Sequence, residues 1–233
     1  MATKKSDRWD KEYSKIKQIP SSNTLHSSAA LQRFLESEKT LKPGRALDLG
    51  SGNGRNSIHL ARLGWGCVGL EFSEPAVDQA NQNAKLHDLS DKVTFVHQSV
   101  AEEIKYPDAS FDLILDMMVM HSLSLNEREK MMQSVKRLLK PGGFFLFYTL
   151  SAKGDEFERL VRDNPGKEVN SYKFYSKGHT VTEKAFTKEE LEDMLKPLTL
   201  VELEARENVT KAFGGEFERV YWYGVATQPQ ASQ

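Results

Sequence analysis

The chain has one cysteine, Cys67, among its 233 residues. It can form no internal disulfide, and no cysteine pair is present to hold a metal or run thiol exchange. Within the apolar stretch CVGLEF, Cys67 reads as a small buried hydrophobe. No segment approaches the roughly 20 consecutive apolar residues of a membrane span. The amino terminus, MATKKSDRWD, lacks the apolar core of a signal peptide. A cytoplasmic protein with no membrane partner is expected. An excess of charge is missing too: 32 Lys and Arg against 33 Asp and Glu leave a formal net charge of −1. No field over the whole chain draws it to nucleic acid, and no nucleic-acid partner is expected. No group of His, Cys, Asp and Glu has metal-ligand spacing, so no metal is expected. No G-x-S-x-G elbow offers a serine nucleophile. The length suits one large core, and nothing in the composition marks a break between two domains.

What is present is concentrated at RALDLGSGNG, residues 45–54. Ala46, Leu47 and Leu49 read as a buried strand with Asp48 as its polar member, and Gly50, Gly52 and Gly54 follow at alternate positions. Glycine permits positive φ and removes the Cβ that would hold a ligand off the main chain. Ile58, Leu60, Ala61 and Leu63 then recur at helical spacing up to Gly64, so the loop ends at a helix N-terminus with free amides. Strand, glycine loop and helix make a nucleotide-binding corner. A dinucleotide fingerprint would place a small residue at position 55, where this chain has Arg55. Its bulk argues against NAD. The next strand ends on Glu71, about 20 residues past the loop, where an acid accepts hydrogen bonds from ribose hydroxyls. A ribose without a pyrophosphate is implied.

From Arg45 onward the sequence resembles the class I S-adenosylmethionine-dependent methyltransferases. LDLGSGNG looks like their first motif, GLEFSEPAVDQA their second, SFDLILDMMVMHSL their fourth and LLKPGGFFLFYTL their fifth. The resemblance implies an α/β fold: a Rossmann-like, seven-stranded, mainly parallel sheet with helices on both faces and one antiparallel strand near the C-terminus. It implies S-adenosylmethionine as cofactor, S-adenosylhomocysteine as product and a small molecule as methyl acceptor, with the protein a monomer or homodimer. A protein or tRNA methyltransferase and a non-catalytic S-adenosylmethionine-binding protein remain open.

The resemblance also assigns residues. Gly50, Ser51, Gly52, Gly54 and Arg55 would hold the methionine part, with Asp48 fixing the loop, Glu71 on the ribose and Phe72 against the adenine. After strand three the family often has an aspartate facing the adenine amino group. Here Ser99 stands there, with the Val100 amide, Glu102 or Glu103 as substitutes. Asp116 and Met117 would line the reaction centre, Asp116 facing the cofactor's amino group. His121 is either a base for the acceptor or a structural histidine. Trp9 and Tyr13, four apart, share a helix face and resemble segments that close the pocket in thiopurine and tellurite-resistance methyltransferases. Packing on the sheet is the other reading.

Four divisions follow: a helical segment over 1–44 closing the pocket, a methyltransferase domain over 45–227, a lid or partly disordered insertion over 151–186, and a disordered tail over 228–233. The insertion offers Arg159, Arg162, Tyr172, Phe174, Tyr175, Lys177 and His179 for a planar or anionic molecule. Expected elements are helices from Ser28 to Lys39 and after Glu71, and strands at Val93 to His97, Phe111 to Met117 and Phe144 to Thr149. A helix capped by Asn126 and Glu129 and stopped near Pro141 comes before the last of these, and another, capped by Thr187 and Glu190, ends at Pro197. A final hairpin spans Leu198 to Glu207 and Phe217 to Ala226.

Overall fold

Helix α1 (Lys5–Lys11) opens a chain that the computed structural model describes over residues 5–16, 22–176, 179–212 and 215–230. It runs into a π-helical turn at Glu12–Ile16. Helix α2 (Ala29–Ser37) starts one residue after its expected Ser28, because Ser28 is the cap: its side chain accepts from the Leu31 amide at 3.2 Å. Strand and helix then alternate as β1 (Arg45–Leu49), α3 (Arg55–Arg62), β2 (Gly66–Glu71), α4 (Glu74–Leu86), β3 (Val93–His97) and β4 (Phe111–Met117). Next come α5 (Leu125–Leu138) and β5 (Leu139–Leu150).

The capping box expected at Asn126 and Glu129 lies two residues earlier. The Ser124 amide and hydroxyl both donate to Glu127 Oε2 at 2.8 Å. Both residue pairs have the three-residue spacing, and buried Leu123 before Ser124 fixes where the chain enters the helix. The helix also stops at Leu138 rather than at Pro141, and the turn residues extend β5, with Leu139 registered on Phe111.

The seven-stranded sheet has the order β3-β2-β1-β4-β5-β9-β8, where β8 is Thr199–Ala212 and β9 is Gly215–Thr227. Neighbouring pairs from β3 to β5 are parallel, and β9 is antiparallel to both β5 and β8. The expected architecture is the observed one. One face carries Leu47, Leu49, Ile114, Phe145 and Phe147 against Met131 and Val135 of α5 and Leu191 of α7 (Lys188–Leu195). The other packs Ala46, Leu113 and Leu146 against Phe34, Ile58 and Ala80. Each fully buried large apolar side chain contributes about 1.5–3 kcal/mol. β1, between β2 and β4, is where the strand order reverses. Registers of Leu49 on Asp116 and Met117 on Tyr148 bring the strand ends to one rim.

Within 151–186 the described residues are folded. Helix α6 (Asp155–Asp163) and the two-stranded hairpin of β6 (Ser171–Ser176) and β7 (His179–Lys184) bury Leu160, Tyr172 and Ala185 against Leu150 and Tyr221. A sequence period cannot reveal this, because the hairpin's apolar partners come from β5 and β9. Arg159 and Arg162 form ion pairs on the surface with Glu156 and Asp163. Lys177 lies outside the described residues, as do 231–233. Gln228 continues the pairing past Thr227, its carbonyl accepting from Gly142 N at 2.8 Å and its amide donating to Gly143 O at 3.0 Å.

Candidate active site

A cavity of about 650 Å³ opens at the rim where the strand order reverses. Gly50, Gly52 and Gly54 have φ of 65°, 55° and 81°, the left-handed region that the sequence reading required. A Cβ on Gly54 would lie 2.5 Å from the Phe95 ring and 3.1 Å from Ala80. The close helix-to-sheet packing assigned to position 55 is therefore made at Gly54. Arg55 lines the cavity and donates to His26 O at 3.1 Å. Two neighbours missed in the sequence act with it: Asn53 Nδ2 donates to Thr24 O at 3.0 Å, and Asn56 Oδ1 accepts from Ser28 N at 2.8 Å. All three tie residues 24–28 across the cavity mouth.

Glu71 lines the wall and is 5% exposed. Its Oε2 accepts from Gly52 N at 3.0 Å and its Oε1 from Ser73 N at 2.9 Å. Burial raises its pKa against the pull of those bonds. Each carboxylate oxygen keeps further lone-pair capacity for a ligand hydroxyl. Asp48 stands behind the wall, where Ser57 Oγ donates to its Oδ2 at 2.7 Å and burial pushes its carboxyl up to about 6. It joins β1 to α3, while Gly52 and Gly54 also stay behind the lining.

Gly50, Ser51, Phe72, Ser99, Val100 and Met117 line the cavity, and Gln98, missed in the sequence, joins them. Ser51 Oγ is buried with no hydrogen-bond partner among the described residues. Ser99 Oγ accepts from Ala101 N at 3.2 Å, and Glu102 and Glu103 are exposed outside the wall. Trp9 and Tyr13 also line the cavity, their rings stacked at 6.3 Å and 28°. Tyr13 reaches over the loop: a Cβ on Gly52 would lie 2.3 Å from its hydroxyl. Gln79 Nε2 holds Tyr13 O at 2.6 Å.

Asp116 is fully buried and outside the lining, contrary to the expectation that it meets the cofactor. The reason is local: Oδ1 accepts from Val119 N at 2.8 Å and Oδ2 from Met120 N at 3.1 Å. These bonds cap the 3-10 turn Met120–Ser122 and hold Met118 at φ 71°, an unfavourable region for a non-glycine residue. Burial pushes the Asp116 carboxyl up to about 7.

Beyond that turn the wall comes from residues far apart in sequence. His121 Nε2 lies 3.7 Å from Glu183 Oε1. Glu183 Oε2 accepts from Tyr172 Oη at 2.7 Å and lies 3.1 Å from Arg219 Nη1. Tyr148 and Tyr221 stack at 5.1 Å and 11°. Glu183, Arg219 and Tyr221 carry no local motif that a sequence could announce.

The chemistry of this wall fits a nucleoside cofactor: a buried carboxylate hydrogen-bonded to a glycine loop, an aromatic ring at Phe72, and polar edges at Gln98, Ser99 and orphaned Ser51. Residues 46–143 match the family described as "Methyltransferase domain". The 27-O-demethylrifamycin SV methyltransferase of Amycolatopsis mediterranei is 37% identical over 100 residues, which cover 42% of this chain and 36% of that protein. Other relatives are named as tRNA and protein-lysine methyltransferases. The chain spans about half the length of the curated relatives it matches. Among solved structures, a SAM-dependent methyltransferase of Methanosarcina mazei superposes with a TM-score of 0.75 at 20% identity, over 88% of this chain and 100% of that one. The 1,6-didemethyltoxoflavin-N1-methyltransferase of Burkholderia thailandensis, solved with its substrate and S-adenosylhomocysteine, gives 0.66 at 19% identity, over 99% and 92%. Residues 46–143 therefore match a methyltransferase domain, and the chain has the fold of the Methanosarcina mazei SAM-dependent methyltransferase.

Proposed function

We propose that the chain transfers a methyl group from S-adenosylmethionine to a nitrogen, oxygen or sulfur atom of a small molecule. The observation that carries this is the continuity of the cavity, which runs from the glycine loop and Glu71 to a second half walled by His121, Tyr148 and Tyr221. Its volume of about 650 Å³ is in the range of small-molecule sites, roughly 300–1,000 Å³. When bound, the cofactor supplies a methyl on sulfonium sulfur that leaves behind a neutral thioether. Glu71 accepts the ribose hydroxyls, Phe72 covers the adenine face, and the Ser99 hydroxyl and Val100 amide meet the adenine edge. The loop from Gly50 to Arg55 holds the methionine end, and Met117 lines the same cavity. Trp9 and Tyr13 close the mouth over that loop. Asp116 is a positioning residue that sets the turn carrying Val119 and His121. In-line displacement asks the protein chiefly to hold the nucleophile on axis at near-attack distance.

Of the runners-up, a tRNA acceptor is disfavoured by a near-zero net charge, while a protein acceptor is separated by the acceptor screen. Calorimetry with S-adenosylmethionine, S-adenosylhomocysteine and NAD, followed by an acceptor screen that reads S-adenosylhomocysteine release, tests the proposal. Micromolar binding of the first two and turnover with a small molecule support it. Binding of NAD alone, or tight cofactor binding with no turnover on any acceptor, overturns it.

A further inference from the structure

We infer that the second half of the cavity takes a planar acceptor bearing a phenol-like hydroxyl, with His121 receiving its proton and Glu183 as the residue that positions His121. This rests on the methyl-transfer reading above. The flat wall is the first observation. Tyr148 and Tyr221 stack nearly parallel, and Met118 and Val181 add apolar surface beside them. A stacked pair of this kind extends naturally by one more ring.

The second observation is a charge cluster brought together from elements far apart in sequence. Glu183 of β7 is 4% exposed. Its Oε2 is engaged by Tyr172 of β6 and Arg219 of β9, which leaves Oε1 toward His121 Nε2 at 3.7 Å. Arg8 of α1 feels the same carboxylate. Glu127 of α5 and the two wall tyrosines complete the titratable groups on this side. The separation from His121 exceeds a hydrogen bond, and such contacts tighten when a ligand fills the site. A proton arriving on Nε2 would form an ion pair with a buried carboxylate already held from its far side.

That arrangement suits one class of nucleophile. A free imidazole titrates near 6.5, about 3.5 units below a phenol and roughly 9 below a water-like hydroxyl. A phenol therefore gives up its proton to a histidine far more easily than an aliphatic alcohol does. A neutral amine has its lone pair free already, and a thiol ionises near neutral pH without help. In the step, the phenol O–H bond breaks, the proton goes to His121, and an oxygen lone pair forms the new bond to the methyl carbon. The electrons of the old carbon–sulfur bond stay on sulfur.

The test begins with calorimetry of S-adenosylhomocysteine on the wild type, Glu183→Gln, Tyr172→Phe and His121→Asn. 4-Methoxyphenol is then titrated into the S-adenosylhomocysteine complex, with its ionisation read by ultraviolet absorbance. Finally, methylation of 4-methoxyphenol, 4-methoxyaniline and cyclohexanol is compared. The expected result is turnover of the phenol at least about tenfold above the others. Glu183→Gln should lower kcat by roughly tenfold or more with KM little changed. Removing the carboxylate should also shift the acid limb of the kcat profile to lower pH and leave more of the bound methoxyphenol protonated. Tyr172→Phe, which removes one hydrogen bond to Glu183, should move the same quantities less and carries the comparison if Glu183→Gln does not fold. If S-adenosylhomocysteine binds but the phenol neither binds nor reacts, or if the pH profile stays fixed in both variants, the acceptor assignment fails. If S-adenosylhomocysteine itself does not bind the wild type, the methyl-transfer reading fails first.

Discussion

Replacing Glu71 by alanine should cost the cofactor more than any other single change in the wall. The side chain accepts from Gly52 N at 3.0 Å and Ser73 N at 2.9 Å while 95% of it is hidden, so the carboxylate both shapes the loop and faces the ribose. A hydrogen bond to a charged group is worth about 1.5–3 kcal/mol. Loss of the ribose contact alone should therefore weaken S-adenosylhomocysteine by roughly 10- to 150-fold, at about 1.4 kcal/mol per tenfold. The two released amides can turn to water in the cavity, which limits the loss of stability to about 1–3 kcal/mol. Glu71→Gln keeps the volume and one acceptor oxygen, but its amide nitrogen opposes one of the two backbone N–H groups, so it should fall between. Calorimetry on both variants, repeated with an analogue lacking the ribose 2′- and 3′-hydroxyls, separates the roles. The analogue should lose much less than S-adenosylhomocysteine between wild type and Glu71→Ala, its residual loss reporting the loop. Wild-type affinity in Glu71→Ala, or an equal loss for the analogue, refutes the ribose assignment.

Three further outcomes are expected. Gly52→Ala places a β-carbon at φ 55° and 2.3 Å from the Tyr13 hydroxyl, so it should lose about 1–2 kcal/mol in denaturant melts. The same change should also weaken the cofactor, and it should do so less in a Tyr13→Phe background; equal losses in both would disconnect Tyr13 from the loop. Asp48 and Asp116, pushed by burial up to about 6 and about 7, bind protons in the folded state that the unfolded chain has released. Their contribution is therefore greatest near pH 4 and is lost as pH rises through 7. Asp116→Asn should flatten the fall in stability to urea between pH 5 and 8 by up to about 3 kcal/mol, two units at about 1.4 each. Identical profiles in wild type and variant would show that Asp116 does not titrate there. Trp9→Ala removes a ring stacked on Tyr13 and lining the mouth, so S-adenosylhomocysteine should dissociate faster in stopped-flow displacement, and an unchanged off-rate would place Trp9 outside the closure.

The sequence by itself determined the parts that obey local rules. The glycines at 50, 52 and 54, the strand ending at Glu71 and the Thr187 capping box depend on φ preferences, two-residue alternation and three-residue reach, all contained in short windows. Their order along the chain also implied the sheet. Local rules failed where two fits competed, as with Ser124 against Asn126, or where a side chain chose its own backbone over the cavity, as Asp116 does. Only the tertiary structure decided the far half of the site. Glu183, Arg219 and Tyr221 meet His121 and Tyr148 because β9 runs antiparallel beside β5 and a small hairpin packs on that edge. Contacts between positions so far apart are set by strand order and by which apolar faces must be buried, and neither is written in the residues on either side of Glu183.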